Sequence, residues 1–160
     1  MANRFDPPAG WTPPGAQFRT NSGASRTVVG AFLALIVTPL GMALAAHGAL
    51  DTSRWVILGD AADRLGSTLQ IIVGAVLLLL VSALAGFTPI ATILAGLVWG
   101  VLPGLVYFVS PESTWRMVGD LPLMTDELHI ALNAWITSGF TFVLGLLLVG
   151  AGVAGTLRRR

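Results

Sequence analysis

The chain is 160 residues long, 54% hydrophobic and 11% charged, with a formal net charge of +1 and a mean hydropathy of +0.79. Those proportions exclude an ordinary water-soluble domain, about a quarter of which is charged. So balanced a charge offers no field to recruit nucleic acid, and the lack of cysteine removes disulfides, thiolate nucleophiles, iron–sulfur clusters and cysteine-ligated zinc.

The first 25 residues cannot build a core. They hold Asp6-Pro7-Pro8-Ala9-Gly10-Trp11-Thr12-Pro13-Pro14-Gly15, which favours extended polyproline conformations and predicts a tail over 1–25 that is disordered on its own. Trp11 and its prolines either run along a face of a larger assembly or form a leader that touches nothing; composition does not choose between these.

Beyond the tail, charged residues act as punctuation, because one at the centre of a bilayer costs about 2.5–3.5 kcal/mol. Residues 27–50 carry none, and at about 1.5 Å per residue that stretch outreaches a hydrocarbon core of roughly 30 Å, which predicts a first span over 27–48. Ala43-Leu44-Ala45 has the form of a signal-peptidase site, but the long Pro-rich segment ahead of it does not fit a signal peptide, so the span is expected to stay. Residues 65–111 are again uncharged and too long for one crossing. Within them Gly86-Phe87-Thr88-Pro89 supplies a glycine stop and a proline start, giving spans over 66–86 and 88–110. Residues 128–157 are uncharged up to Arg158-Arg159-Arg160, giving a fourth span over 129–157 and a basic end at 158–160.

Strands cannot satisfy their backbone groups in lipid outside a closed barrel. The expected fold is therefore an all-α integral membrane protein with four transmembrane helices in two helical hairpins, 26–86 and 87–157. Arg4, Arg19, Arg26 and the three terminal arginines fall on one side of such a bundle, against Arg54, Arg64 and Arg116 on the other. The positive-inside rule then places both termini in the cytoplasm. All nine basic residues are arginine, and Ala, Gly, Val, Leu and Pro abound, the composition of a GC-rich bacterial genome; a bacterial plasma membrane is the expected location. Asp51, Asp60, Asp63, Glu112, Asp120, Asp126 and Glu127 make the outer face mildly acidic.

The two outer loops resemble each other. Ser53-Arg54-Trp55-Val56-Ile57-Leu58-Gly59-Asp60 aligns with Ser113-Thr114-Trp115-Arg116-Met117-Val118-Gly119-Asp120, sharing Ser, Trp, Gly and Asp at an offset of 60 residues. Self-similarity at a fixed offset is the mark of internal repetition and predicts two tandem hairpins running in the same direction, parallel rather than inverted. Trp55 and Trp115 suit the headgroup level, where they serve as lipid anchors or, with Asp60 and Asp120, as a docking surface for an outer partner.

Gly96, Gly100 and Gly104 form a small-residue ridge along the third span, to which some helix must pack closely: another span of this chain, a second copy or a foreign subunit. Pro39 and Pro103 lie within spans, with Thr38 able to bond a freed carbonyl, and Trp99 is too deep for an aromatic belt and is expected to fill a helix interface. In the outer third, His129, Asn133, Thr137 and Thr141 recur every four residues. With His47 and Gln70 they read as a polar seam, either a mouth for a quinone or lipid headgroup with His129 as donor or relay, or interhelical hydrogen bonding. Two histidines on separate spans without a third deep ligand do not make a haem or metal site. No strand-turn-helix serine, phosphate-cradling loop or paired intramembrane carboxylates are found, so no enzyme and no cofactor are expected.

The sequence thus points to a non-catalytic tetraspan accessory subunit or assembly factor of a larger envelope complex, contacting lipid and other membrane subunits or itself. The alternative is a binder or carrier of a lipophilic small molecule such as a quinone or lipid, possibly as a homodimer.

Overall fold

A computed structural model describes residues 22–58, 64–120 and 125–158, and among them every element is helical. The order is α1 (Ser22–Leu58), α2 (Arg64–Ala83), a short 3-10 turn (Leu84–Gly86), α3 (Pro89–Gly96), a π-helical segment (Leu97–Val101), α4 (Leu102–Val109), α5 (Pro111–Gly119), α6 (Asp126–Thr137) and α7 (Phe140–Leu157). Four stretches are long and apolar enough to cross a membrane: Thr27–Arg54, Arg64–Gly86, Pro89–Val109 and Phe140–Leu157. Residues 1–21, with Trp11, lie outside the described part, as do residues 59–63, with Asp60, and the side chain of Trp55. Helix α1 already begins at Ser22, inside the stretch read from sequence as tail.

Prolines set two of the breaks. Thr88 and Ser110 each precede a proline and adopt φ −143°, ψ 72° and φ −149°, ψ 88°, because the following pyrrolidine ring excludes the helical region. At the first break the Leu84 carbonyl accepts from Phe87 N at 2.9 Å and Thr88 N at 2.7 Å, closing α2 before Pro89 opens α3. The second separates α4 from α5, so the S-x-W-x-x-x-G-D stretch at 113 stands on its own short helix, whereas Ser53 and Trp55 continue the long α1.

The fourth apolar stretch is not the single helix expected over 129–157. Helix α6 ends at Thr137, and Gly139 turns the chain with φ +75°, a left-handed conformation that side chains with a Cβ resist. Only α7, 18 residues long, is a candidate span. Helix α6 is a separate capped element: the Thr125 hydroxyl accepts from Leu128 N at 3.3 Å, with Asp126 and Glu127 in the first turn, where acids suit the positive end of the helix dipole.

All four spans meet in a core of small side chains, Ala34 from α1, Val81 from α2, Ala91 and Ala95 from α3 and Leu148 from α7. Helices α1 and α2 approach so closely that a Cβ on Gly74 would lie 2.6 Å from the Gly41 carbonyl oxygen. The glycine ridge of the third span finds its occupant within the chain. A Cβ on Gly96 would lie 2.7 Å from the Gly145 carbonyl oxygen, one on Gly100 would overlap the Gly145 backbone, and one on Gly104 would meet Phe142. Of the occupants left open by the sequence, the ridge takes the chain's own α7.

Both prolines within the long apolar stretches are accommodated, each differently. Pro39 sits inside an unbroken α1, and its missing N–H leaves the Leu35 carbonyl without a helical donor. The Trp99 indole N–H, from the π segment, fills that role at 2.9 Å. Thr38, expected to bond a freed carbonyl, instead donates to Ala34 O at 2.6 Å. Ahead of Pro103 the helix widens to i→i−5 spacing, with Leu102 N–H donating to Leu97 O, a local adjustment next to a ring that would clash with the preceding turn of a regular helix.

Candidate functional site

Two polar groupings and one cavity occupy the half of the bundle away from the described termini. The first grouping surrounds His47. Its Nδ1 lies 3.0 Å from Gln70 Oε1 on α2 and 3.5 Å from Asp51 Oδ2 one turn along α1. Its Nε2 lies 3.6 Å from Glu127 Oε2 on α6, and Arg54 Nη1 donates to Glu127 Oε1 at 3.3 Å. Three helices are thereby tied together at one end. Glu127 is 57% exposed, so solvent screens its pairing.

The second grouping is separate. His129 turns away from His47, its Nε2 at 3.1 Å from the Trp115 carbonyl oxygen and its ring centroid 4.0 Å from that of Trp115, which joins α6 to α5. The expected seam therefore does not exist as one surface. His47 and Gln70 come together as read, His129 does not join them, and Asn133 is half-buried one turn further along α6. Thr137 is exposed and donates to Ala134 O at 3.1 Å, while Thr141 belongs to α7 beyond the Gly139 turn. A four-residue recurrence holds a row together only along a continuous helix, and Gly139 interrupts it.

The ring nitrogens of His47 engage carboxylates on opposite sides, so these groups do not converge on a point. Among the described residues no three His, Cys, Asp or Glu side chains are placed to hold a metal. Of the outer-loop residues, Trp115 is 45% exposed and Asp120 is exposed at the end of α5.

The cavity lies deeper. It has a volume of about 200 Å3 among α1, the π segment, α4, α5, α6 and α7, and is lined by Pro39, Val98, Trp99, Pro103, Thr114, Leu132, Thr141 and neighbouring apolar side chains. No ionisable residue lines it. Thr141 is 2% exposed, and its Oγ1 is the buried side-chain polar atom left without a hydrogen-bond partner among the described residues. Sequence reading placed Thr141 in the seam and Trp99 in an interface but had no signal for their convergence, nor for the partnership of Glu127 with His47, which spans 80 positions of chain. The His47–Asp51 pair was within reach, since i,i+4 neighbours share a helix face.

Compared with family models, with curated proteins and with solved structures, the chain matches none.

Proposed function

We propose that this chain is a non-catalytic subunit or assembly factor of a larger bacterial cell-envelope complex, set in the plasma membrane with both termini cytoplasmic. The observation that carries the reading is apolar surface beyond the charged layer. Helix α1 runs 37 residues, about 56 Å at 1.5 Å per residue. Past Asp51 and Arg54 it presents Val56 and Ile57, 67% and 78% exposed. On α5, Met117 is 60% exposed. Apolar side chains outside the hydrocarbon and uncovered by their own chain mark a contact surface. Orientation rests on the arginine distribution, and the paired S-x-W-x-x-x-G-D stretches are read as duplicated hairpins that diverged when Pro111 cut the second copy free.

Isolation from native membranes in mild detergent tests the reading: larger membrane subunits are expected in constant stoichiometry, and Val56→Glu with Ile57→Glu is expected to release them while the chain itself persists. A lone chain in several mild detergents would overturn it. A second reading, a binder of a lipid-soluble small molecule, is favoured by one observation, the uncharged cavity with the unpaired Thr141 hydroxyl.

A further inference from the structure

The cavity has a structural cause and a chemical signature. Its walls include Pro39 on α1, Pro103 on α4, each a compact ring, and Val98 and Trp99 from the π segment that precedes Pro103. The fourth stretch breaks at Gly139, so α6 and α7 contribute separate walls, with Leu132 and Ile136 from the first and Thr141 from the second. An apolar cavity of roughly 150 Å3 stays dry and takes up benzene; at about 200 Å3 this one has room for a substituted ring.

Two threonines give the space its polarity, and Thr114 Oγ1 already donates to Ser110 O at 3.3 Å, which leaves Thr141. Other threonines here bond the carbonyl four residues back, as Thr38, Thr52 and Thr68 do at 2.6, 2.8 and 2.8 Å. Thr141, the second residue of α7, follows a left-handed glycine, so the carbonyl four positions back lies on a different helix and out of register. Its hydroxyl is left buried and unpaired, a state proteins rarely tolerate without a partner supplied from elsewhere.

Depth narrows the partner. A Cβ on Gly100 would sit 3.0 Å from the Thr141 carbonyl, and Gly100 lies midway along the Pro89–Val109 stretch. A phospholipid keeps its ester carbonyls at the headgroup level, far from such a point, whereas a molecule dissolved wholly in hydrocarbon reaches it. Val98, which lines the cavity from within the Pro89–Val109 stretch and is 39% exposed, gives it a lateral opening. With no charge in the lining, the occupant is neutral. We propose that this cavity binds a lipid-soluble ring ketone of the quinone class, its carbonyl oxygen accepting from Thr141 Oγ1 and its ring lying among Trp99, Pro39 and Pro103. The site deepens the lipid-soluble ligand reading and rests on it, independently of the subunit reading.

The test uses the full chain in lipid nanodiscs with Trp99 as its single tryptophan (W11F, W55F, W115F, W135F) and 2-methyl-1,4-naphthoquinone as a quenching probe. Saturable quenching is expected, superimposed on the linear quenching of lipid partition. Thr141→Val, which keeps shape and removes the hydroxyl, is expected to weaken binding about five- to tenfold, the worth of one hydrogen bond. Thr141→Ser is expected to retain it, and displacement by naphthalene, which has no oxygen, is expected to be equal in wild type and Thr141→Val. Leu132→Phe combined with Val106→Phe, which fills the space without adding a second tryptophan, is expected to abolish saturation. Saturable binding unchanged by both Thr141→Val and the double phenylalanine variant would overturn this site while leaving the ligand reading standing; purely linear quenching in the parent would overturn both. Quenching that saturates only with a phospholipid brominated on its acyl chains would assign the cavity to a lipid tail and reject the ring ketone.

Discussion

Pro39 and Trp99 show how a single residue can create a need that another helix fills. The proline ring removes the donor that the Leu35 carbonyl would use, and the Trp99 indole replaces it at 2.9 Å. Removing one partner of a buried hydrogen bond costs about 1–3 kcal/mol, so Trp99→Phe is expected to lower unfolding stability in mixed micelles by that amount. Pro39→Ala returns an N–H to position 39, and in that background the loss on Trp99→Phe is expected to fall by at least half. Additive effects across this double-mutant cycle would show that the indole contributes by filling space alone, which is all the sequence suggested for it. Proline and tryptophan were visible as single letters; their pairing, 60 positions apart in the chain, was not.

At the level of helices, breaks arise from backbone rules more than from side-chain chemistry. Pre-proline geometry at Thr88 and Ser110 ends one helix and lets another begin, and the first of these was legible because Gly and Pro flank it. Gly139 was equally visible as a letter, and Ser138-Gly139 is a turn dipeptide, yet it stands inside a long uncharged run in which glycine recurs and most copies serve close packing, so the signal was outweighed. Two alanine substitutions separate the roles. Gly139→Ala meets no atom within 4 Å but forces a side chain into a left-handed backbone, and is expected to cost about 1–2 kcal/mol. Gly150→Ala also meets nothing within 4 Å and lies inside α7, so it is expected to be neutral or stabilising by up to about 1 kcal/mol. Equal thermal shifts for the two would contradict the assigned turn. At the α3–α7 crossing, Gly100→Leu would drive a side chain into the Gly145 backbone; overpacking of about 3 kcal/mol or more is expected, read as loss of the folded monomer itself rather than loss of a partner.

Over the whole molecule, the hairpins are held by packing and by few polar ties. Because the Arg54–Glu127 pair is exposed on both sides, Glu127→Gln is expected to change stability by less than about 1 kcal/mol; a larger loss would mean that the contact with His47 carries more than its solvation suggests. The close approach of Gly30 to Thr88 and of Gly155 to Ala85 brings the start of α1, the tight turn and the end of α7 to the same end of the bundle. A chain free of cysteine makes the corresponding topology test direct: single cysteines at Ser25 and Thr156 are expected to react with an impermeant maleimide from the same side of sealed vesicles, and reaction from opposite sides would refute an even number of crossings.

The sequence by itself determined where apolar runs begin and end, that these runs are helical, and that Pro89 divides the second of them, because each is settled within a few residues by the solvation of charge and by the limits on φ. It could not determine which helix fills the glycine ridge, which donor reaches the carbonyl freed by Pro39, that His47 and His129 serve different neighbours, or that Thr141 is left facing an interior space. Those are relations between segments far apart in the chain, fixed when backbones approach to contact distance, and only the tertiary structure decided them.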